Sequence, residues 1–198
     1  MNLSKSLEEN CNHIKTDFVD CSDFLIRKAK TGNREFLIMV CDGLIDSLQL
    51  SQMVVSPILR CDEIDIDTIK KSITNSVELN EAETFADCYY YVMSGFAVVL
   101  VDGEDKALAF GVQSPPARSV DVPSNEQSTK APKEAFVEVL NTNKALLRKR
   151  LKTPHLKLKQ IKLASSAPMP CVIAYMDDRA DKELVSQITL ALQRLSLI

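Results

Sequence analysis

With 198 residues, 45% of them hydrophobic and 26% charged, the chain is long enough to bury a sizeable core in one large or two small domains. Its longest nearly uninterrupted apolar run, Tyr89 to Val101, is about 13 residues, short of the roughly 18 that a membrane span takes. The net charge of −3 is unevenly spread, with 10 Lys/Arg against 19 Asp/Glu in residues 1 to 110 and 14 against 8 in residues 111 to 198.

The first fifteen residues have neither an apolar centre nor a small-residue cleavage site, so they do not read as a secretory signal. The six cysteines at 11, 21, 41, 61, 88 and 171 form no C-x-x-C pair, which points to reduced thiols in a cytosolic compartment.

Leu3 to Ile14 predicts a helix with Ser4 as its cap, and Ser22 to Lys30 a second short helical piece. Glu35 to Cys41 is too short for a helix and rich in bulky apolar and branched residues, so it reads as a buried strand. Gly43 to Leu59 reads as helical, ending or kinking around Pro57. The acids Asp62, Glu63, Asp65 and Asp67 precede a helix over Thr68 to Ile73, with Asp67 as its cap. They do not make an EF-hand, since no register supplies glycine at the sixth position and glutamate at the twelfth.

Glu81 to Ser94 is apolar along most of one side, and Phe96 to Phe110 predicts a hairpin turning at Asp102-Gly103. Residues 114 to 132 hold four prolines, Pro115, Pro116, Pro123 and Pro132, together with four serines, and read as an extended connection. After it come a helix over Lys133 to Leu151 with Pro132 in its first turn, a half-buried strand over His155 to Leu163 and a buried strand over Cys171 to Met176. A last helix spans Asp181 to Leu195, amphipathic through Leu184, Val185, Ile188, Leu192 and Leu195. The fold class expected is mixed α/β in two small lobes, 1–113 and 133–198. Each lobe is a short mixed sheet with flanking helices, joined by the Pro/Ser-rich segment 114–132.

Two stretches match at a constant offset of 135. Leu37 to Val54 over Val172 to Thr189 pairs Ile38 with Ile173, Asp42 with Asp177, Asp46 with Asp181, Ser51 with Ser186 and Gln52 with Gln187. An internal duplication is one reading, and a shared preference of any strand-Asp-helix unit is the other. On the first, the hairpin has a counterpart at about 231 to 245, the second lobe is incomplete, and a strand edge is left to pair with another copy.

No phosphate-binding loop, dinucleotide fingerprint, zinc-protease helix or nucleophile elbow is present, and neither His13 nor His155 has triad companions by sequence. Cys41 and Cys88 lie in apolar surroundings and read as core residues; Asp42 and Asp177 follow strand ends, where a carboxylate either meets ligand or caps a helix. No enzyme, metal or cofactor is expected. From Lys144 to Lys162 eight basic residues stand without an acid. That run faces anionic lipid or nucleic acid, or it is a solvated helix end followed by a lysine-faced strand. The absence of aromatics between Ala145 and Cys171 argues against nucleic acid.

Between Arg118 and Leu151 a set of residues stands at fixed spacing: Arg118, Pro123, Glu126, Pro132, Glu134, Phe136, Val137, Glu138, Asn141, Thr142, Asn143, Leu146, Arg148, Arg150 and Leu151. This pattern resembles the signature of the A subunit of GerA-type spore germinant receptors, as does the Asp-Gly hairpin. Ala131 and Ala135 depart from it, standing where that family has glycine.

The resemblance implies a cytosolic N-terminal domain of a membrane protein of the spore inner membrane, on the spore-core side, whose parent continues into transmembrane helices. It implies assembly with B and C subunits and with other A copies, and a part in nutrient-triggered germination through assembly and signal coupling. Arg118, Glu126, Pro132, Phe136, Glu138, Asn141, Asn143 and Arg148 are then its binding or interface positions. For Arg148 the plainer reading is complementing a helix dipole, and for the two asparagines helix-surface polarity. The alternative function is a germinant-binding module with a small molecule between the lobes.

Overall fold

The computed structural model describes residues 1–32, 34–73, 78–114, 135–163 and 169–194, apart from the side chains of 72 and 73. The extended connection expected at 114–132 lies, but for Ser114, outside them.

Helix α1 (Leu7–Asp17) starts later than the sequence suggests, because Ser6 rather than Ser4 caps it by accepting from the Glu9 amide. The Ser4 hydroxyl instead donates to Glu9 Oε2, and its main chain is bracketed by the Asn10 amide. The piece expected to be helical at 22 to 30 is strand β1 (Phe24–Thr31), paired antiparallel with β2 (Arg34–Cys41). Its sequence has no strict alternation, with Phe24, Leu25 and Ile26 followed by Arg27 and Lys28, and the eight-residue pairing with β2 decides for a strand.

A helical run follows, made of α2 (Ser47–Gln49), a π-helical stretch (Leu50–Val55) and α3 (Ser56–Leu59). The irregularity lies N-terminal to Pro57, which sits in the first turn of α3 where its missing N–H is tolerated. Helix α4 (Ile66–Ile73) is capped by Asp65, whose Oδ1 accepts from the Thr68 amide at 2.6 Å, not by Asp67. That amide is the largest influence holding the Asp65 carboxyl below its ordinary pKa.

The stretch from 81 to 94 divides into β3 (Leu79–Ala82) and α5 (Phe85–Val92), the latter started by a reciprocal Thr84–Asp87 capping box. Strands β4 (Phe96–Val101) and β5 (Ala107–Gly111) form the expected hairpin, with Gly103 at φ +88°.

These five strands make one sheet in the order β1-β2-β4-β5-β3, every pair antiparallel. Helices cover both faces. Leu37, Met39, Val98 and Leu100 share a core with α1 and α5, and Phe36, Ile38, Val99 and Phe110 share one with the helical run and α4. Burial on both sides explains why β2 and β4 read as unbroken apolar runs.

The second part holds α6 (Leu140–Arg150), the antiparallel pair β6 (Leu156–Leu163) and β7 (Met169–Met176), and α7 (Lys182–Arg194). Helix α6 begins seven residues later than expected; residues 135–139 are non-helical, and Ala135 is not among the positive-φ positions. Strand β7 is half-exposed rather than buried, since β6 alone flanks it among the described residues. In α7, Leu184 and Ile188 of the expected apolar face are 54% and 40% exposed, while Thr189 is turned inward. The overall class is therefore mixed α/β with two sheets. Both sheets are antiparallel, where mixed sheets were expected; in the first, short hairpin connections link β1 to β2 and β4 to β5.

Candidate functional site: a buried arginine joint and its neighbouring cavity

The C-terminal turn of α6 delivers Arg148 into the interior, where 1% of it is exposed. Its Nε donates to Asp23 Oδ2 at 2.7 Å and its Nη2 to Asp23 Oδ1 at 3.1 Å, a two-pronged grip on a carboxylate that is itself wholly buried. The remaining donors reach the Thr153 carbonyl at 2.7 Å and the Leu156 carbonyl at 2.9 Å. One guanidinium thus ties the start of β1 to the end of α6 and the entry of β6. Burial opposes its charge, and Asp23 more than offsets this, raising its pKa above the ordinary value.

Two thiols border the pair. Cys41 donates to Asp23 Oδ2 at 3.3 Å and Cys21 to the Leu156 carbonyl at 3.5 Å; burial pushes both thiols up, with Asp23 adding at Cys41 and with Arg148 and Lys157 opposing it at Cys21. The main chain joins in the same place: Leu158 donates to the Asp20 carbonyl at 3.0 Å, and Ser22 donates back to the Leu158 carbonyl at 3.1 Å.

Gly43, at φ +81°, turns the chain out of β2 against α6, and a Cβ there would meet Ala145 Cβ at 3.1 Å. Gly103, at a similar φ, has open space around it. Both alanine substitutions cost about 1–2 kcal/mol for the left-handed backbone. Gly43→Ala is expected to cost more than Gly103→Ala because α6 must also shift, a difference that urea denaturation of the two variants measures.

Beside the joint lies a cavity of about 410 Å³ between the end of α1, the β6–β7 pair and α7, lined among others by Asp20, Lys157, Lys159, Tyr175, Asp177 and Thr189. Asp20 holds a positive φ of 60°, uncommon outside glycine. Its carboxylate accepts from the Tyr175 hydroxyl at 3.1 Å and faces Lys159 Nζ at 3.5 Å. Burial, then Asp20, pushes the Tyr175 phenol up to about 12.

Lys157, although on the expected lysine face, is buried, with its ammonium on the Asp17 carbonyl at 2.6 Å and Asp177 Oδ2 at 3.1 Å. Asp177 also meets His155 Nδ1 at 2.8 Å, and Asp178 lies close enough to these two for the three to hold an ion. The neighbouring Lys157 ammonium already neutralises that corner. Burial works against ionised Asp177, yet His155 and Lys157 hold its carboxyl below the ordinary value. A depressed folded pKa gives stability that is present above the unfolded value of about 3.9 and lost as pH falls through the folded value. Asp177→Asn is therefore expected to flatten the stability loss as the pH falls below about 4, read from urea midpoints at descending pH.

Of the interface residues expected from sequence, Arg118, Glu126 and Pro132 lie outside the described residues. Phe136 and Glu138 are exposed on the segment before α6. Asn143 turns back onto that segment, accepting from the Val137 amide at 2.8 Å and donating to its carbonyl at 2.7 Å. Asn141 reaches Asp42 at 3.5 Å. The helix caps after β2 and β7 are Asp46 and Asp181 rather than Asp42 and Asp177. The basic run is not one continuous face, because Lys144, Arg148 and Lys157 are buried. Asp23 was missed, and its only signal was a lone acid in a segment misread as helix.

A family model described as Bacillus/Clostridium GerA spore germination protein matches residues 12–197. The chain belongs to the GerA family. Spore germination protein B1 of Bacillus subtilis (strain 168) is 29% identical over 95% of the chain and 40% of its own length, and spore germination protein KA of the same organism is 25% identical over 98% and 37%. The crystal structure of the N-terminal domain of the A subunit of the Bacillus megaterium spore germinant receptor GerK3 matches with a TM-score of 0.76 at 25% identity, covering 99% of this chain and 74% of that one. The GerA chain described here spans about two fifths of the length of these curated relatives, and it corresponds to the N-terminal domain of an A subunit. No helix among its described residues is long and apolar enough to cross a membrane.

Proposed function

We propose that this domain serves nutrient-triggered spore germination as an assembly and signal-coupling element of a germinant receptor A subunit. In this reading it is non-catalytic, sits on the spore-core side of the inner membrane, and contacts B and C subunits and other A copies. The observation that carries it is the segment entering α6, where Phe136 and Val139 are 66% and 60% exposed around an exposed Glu138. Apolar side chains held in solvent beside a charge are what a protein partner covers. The segment is anchored by Asn143 and leads directly to the Arg148 joint, so a partner bound there pulls on the contact between the two sheets.

The test is the double variant Phe136→Ala/Glu138→Ala in the full-length receptor. The variant domain should melt within about 2 °C of the parent, as exposed positions do, while germination in response to nutrient is strongly reduced. Unchanged germination with normal protein levels would remove this surface from the account.

The cavity favours a second reading, a small-molecule site for a germinant. Its lining offers both charges within one enclosure, Asp20 and Asp177 against Lys157, Lys159 and Lys182, as a zwitterion needs. A thermal-shift titration of the domain against amino acids, sugars and nucleosides tests it. Saturation at about 100 times the dissociation constant adds roughly 2.7 kcal/mol, and no shift with any compound eliminates the reading for that panel.

A further inference from the structure

We infer that residues 7–59 and 140–194 are two copies of one helix-strand-strand-helix unit, and that the edge of β7 opposite β6, which no described residue pairs, accepts an antiparallel strand of the same polypeptide, one repeat length beyond β4. Helices α1 and α6 have 11 residues each and strands β1 and β2 have 8, and among the described residues β6 and β7 show 8 each and α7 shows 13, as the helical run 47–59 does. A single shift of 135 carries β2 onto β7 and the whole helical run onto α7.

The shift preserves detail as well as span. Asp46 caps through the Leu48 amide and Asp181 through the Glu183 amide; the buried Val54 falls on the buried Thr189, while the buried Ile58 falls on the exposed Gln193. Strands β1 and β6 are related by 132 instead, since five residues separate β6 from β7 in sequence and two separate β1 from β2. One shift of 135 fixes a strand, a cap and the start of a helix together, more than a chance resemblance of strand-turn-helix units requires.

The copies differ in one respect. In the first, the second edge of β2 is taken by β4, with Phe36 to Met39 paired to Val98 to Val101. The equivalent stretch of β7, Cys171 to Ala174, has no such partner among the described residues. The other strand edges around it are protected: β1 carries Arg27, Lys28 and Lys30, and β6 is covered by Asp20 to Ser22. Strand β7 carries no charge along its eight residues, which leaves its edge open to strand addition.

The occupant follows from the repeat. The first unit is completed by residues 60–111, and the β4 range shifted by the same 135 falls at about 231 to 236. The solved GerK3 domain has the room, since this chain covers 74% of it and its remainder is about a third of the length of this chain.

Hydrogen exchange on the 198-residue chain and on a polypeptide continued through the equivalent of β5, to about position 246, decides the matter. The β7 amides that do not donate to β6 should exchange rapidly in the first and be slowed by at least roughly 100-fold in the second, centred on Cys171 to Ala174. Equal exchange in the two overturns the proposal. So does protection in the shorter chain that rises with protein concentration alongside dimer formation, which would assign the edge to a second copy.

Discussion

Arg148→Ala is expected to destabilise the domain by about 3–5 kcal/mol, because it leaves the Asp23 carboxylate buried and unpaired and frees two carbonyls at once. At about 2–4 °C per kcal/mol for a chain of this size, the melting midpoint falls by roughly 6–20 °C. Asp23→Ala should cost a similar amount by stranding the guanidinium. The double change Arg148→Met/Asp23→Leu should cost far less than the sum of the single changes, since both charges leave together. A double-mutant cycle by urea denaturation measures the coupling, and additive losses would mean that the two groups do not act as a pair. Calorimetry of Arg148→Ala adds a second check: if the guanidinium is the main tie between the sheets, the single transition should broaden or divide.

Phe36→Ala is expected to cost about 3–5 kcal/mol, while Phe136→Ala, one hundred positions on, changes stability by less than about 0.5 kcal/mol. Phe36 is completely buried in the interior strand β2, packed in the core formed with the helical run and α4. Phe136 is 66% exposed and gives up little when truncated. Equilibrium denaturation of the two variants side by side separates a residue that builds the fold from one that the fold presents. A large loss for Phe136→Ala would mean that the segment before α6 is structural.

The parts legible in the sequence are those where one local rule dominates. Strands β2 and β4 announce themselves because both faces are covered, and the β4–β5 turn because Asp102-Gly103 needs a positive φ. The misread parts are those where the deciding partner is distant. Strand β1 looks helical until its pairing with β2 is known, and β7 looks buried because its apolar residues match those of a strand flanked on both sides.

The site shows the same division. Arg148 was singled out through the family pattern, yet nothing local says that its partner lies 125 residues away. Lys157 breaks the alternation of β6 because its partners, the Asp17 carbonyl and Asp177, come from other elements and supply the polar contacts that let an ammonium be buried.

The pair of main-chain hydrogen bonds between Leu158 and the Asp20–Ser22 stretch, set beside the guanidinium, fixes how the two sheets can move. A hinge yields gradually because its torsions are soft, but this contact has no soft coordinate. Parting β6 from Cys21 breaks both backbone bonds, and the Arg148–Asp23 pair beside them has to break as the strand withdraws. The seam therefore has the form of a latch, in which the two backbone bonds and the ion pair have to break for β6 to part from Cys21.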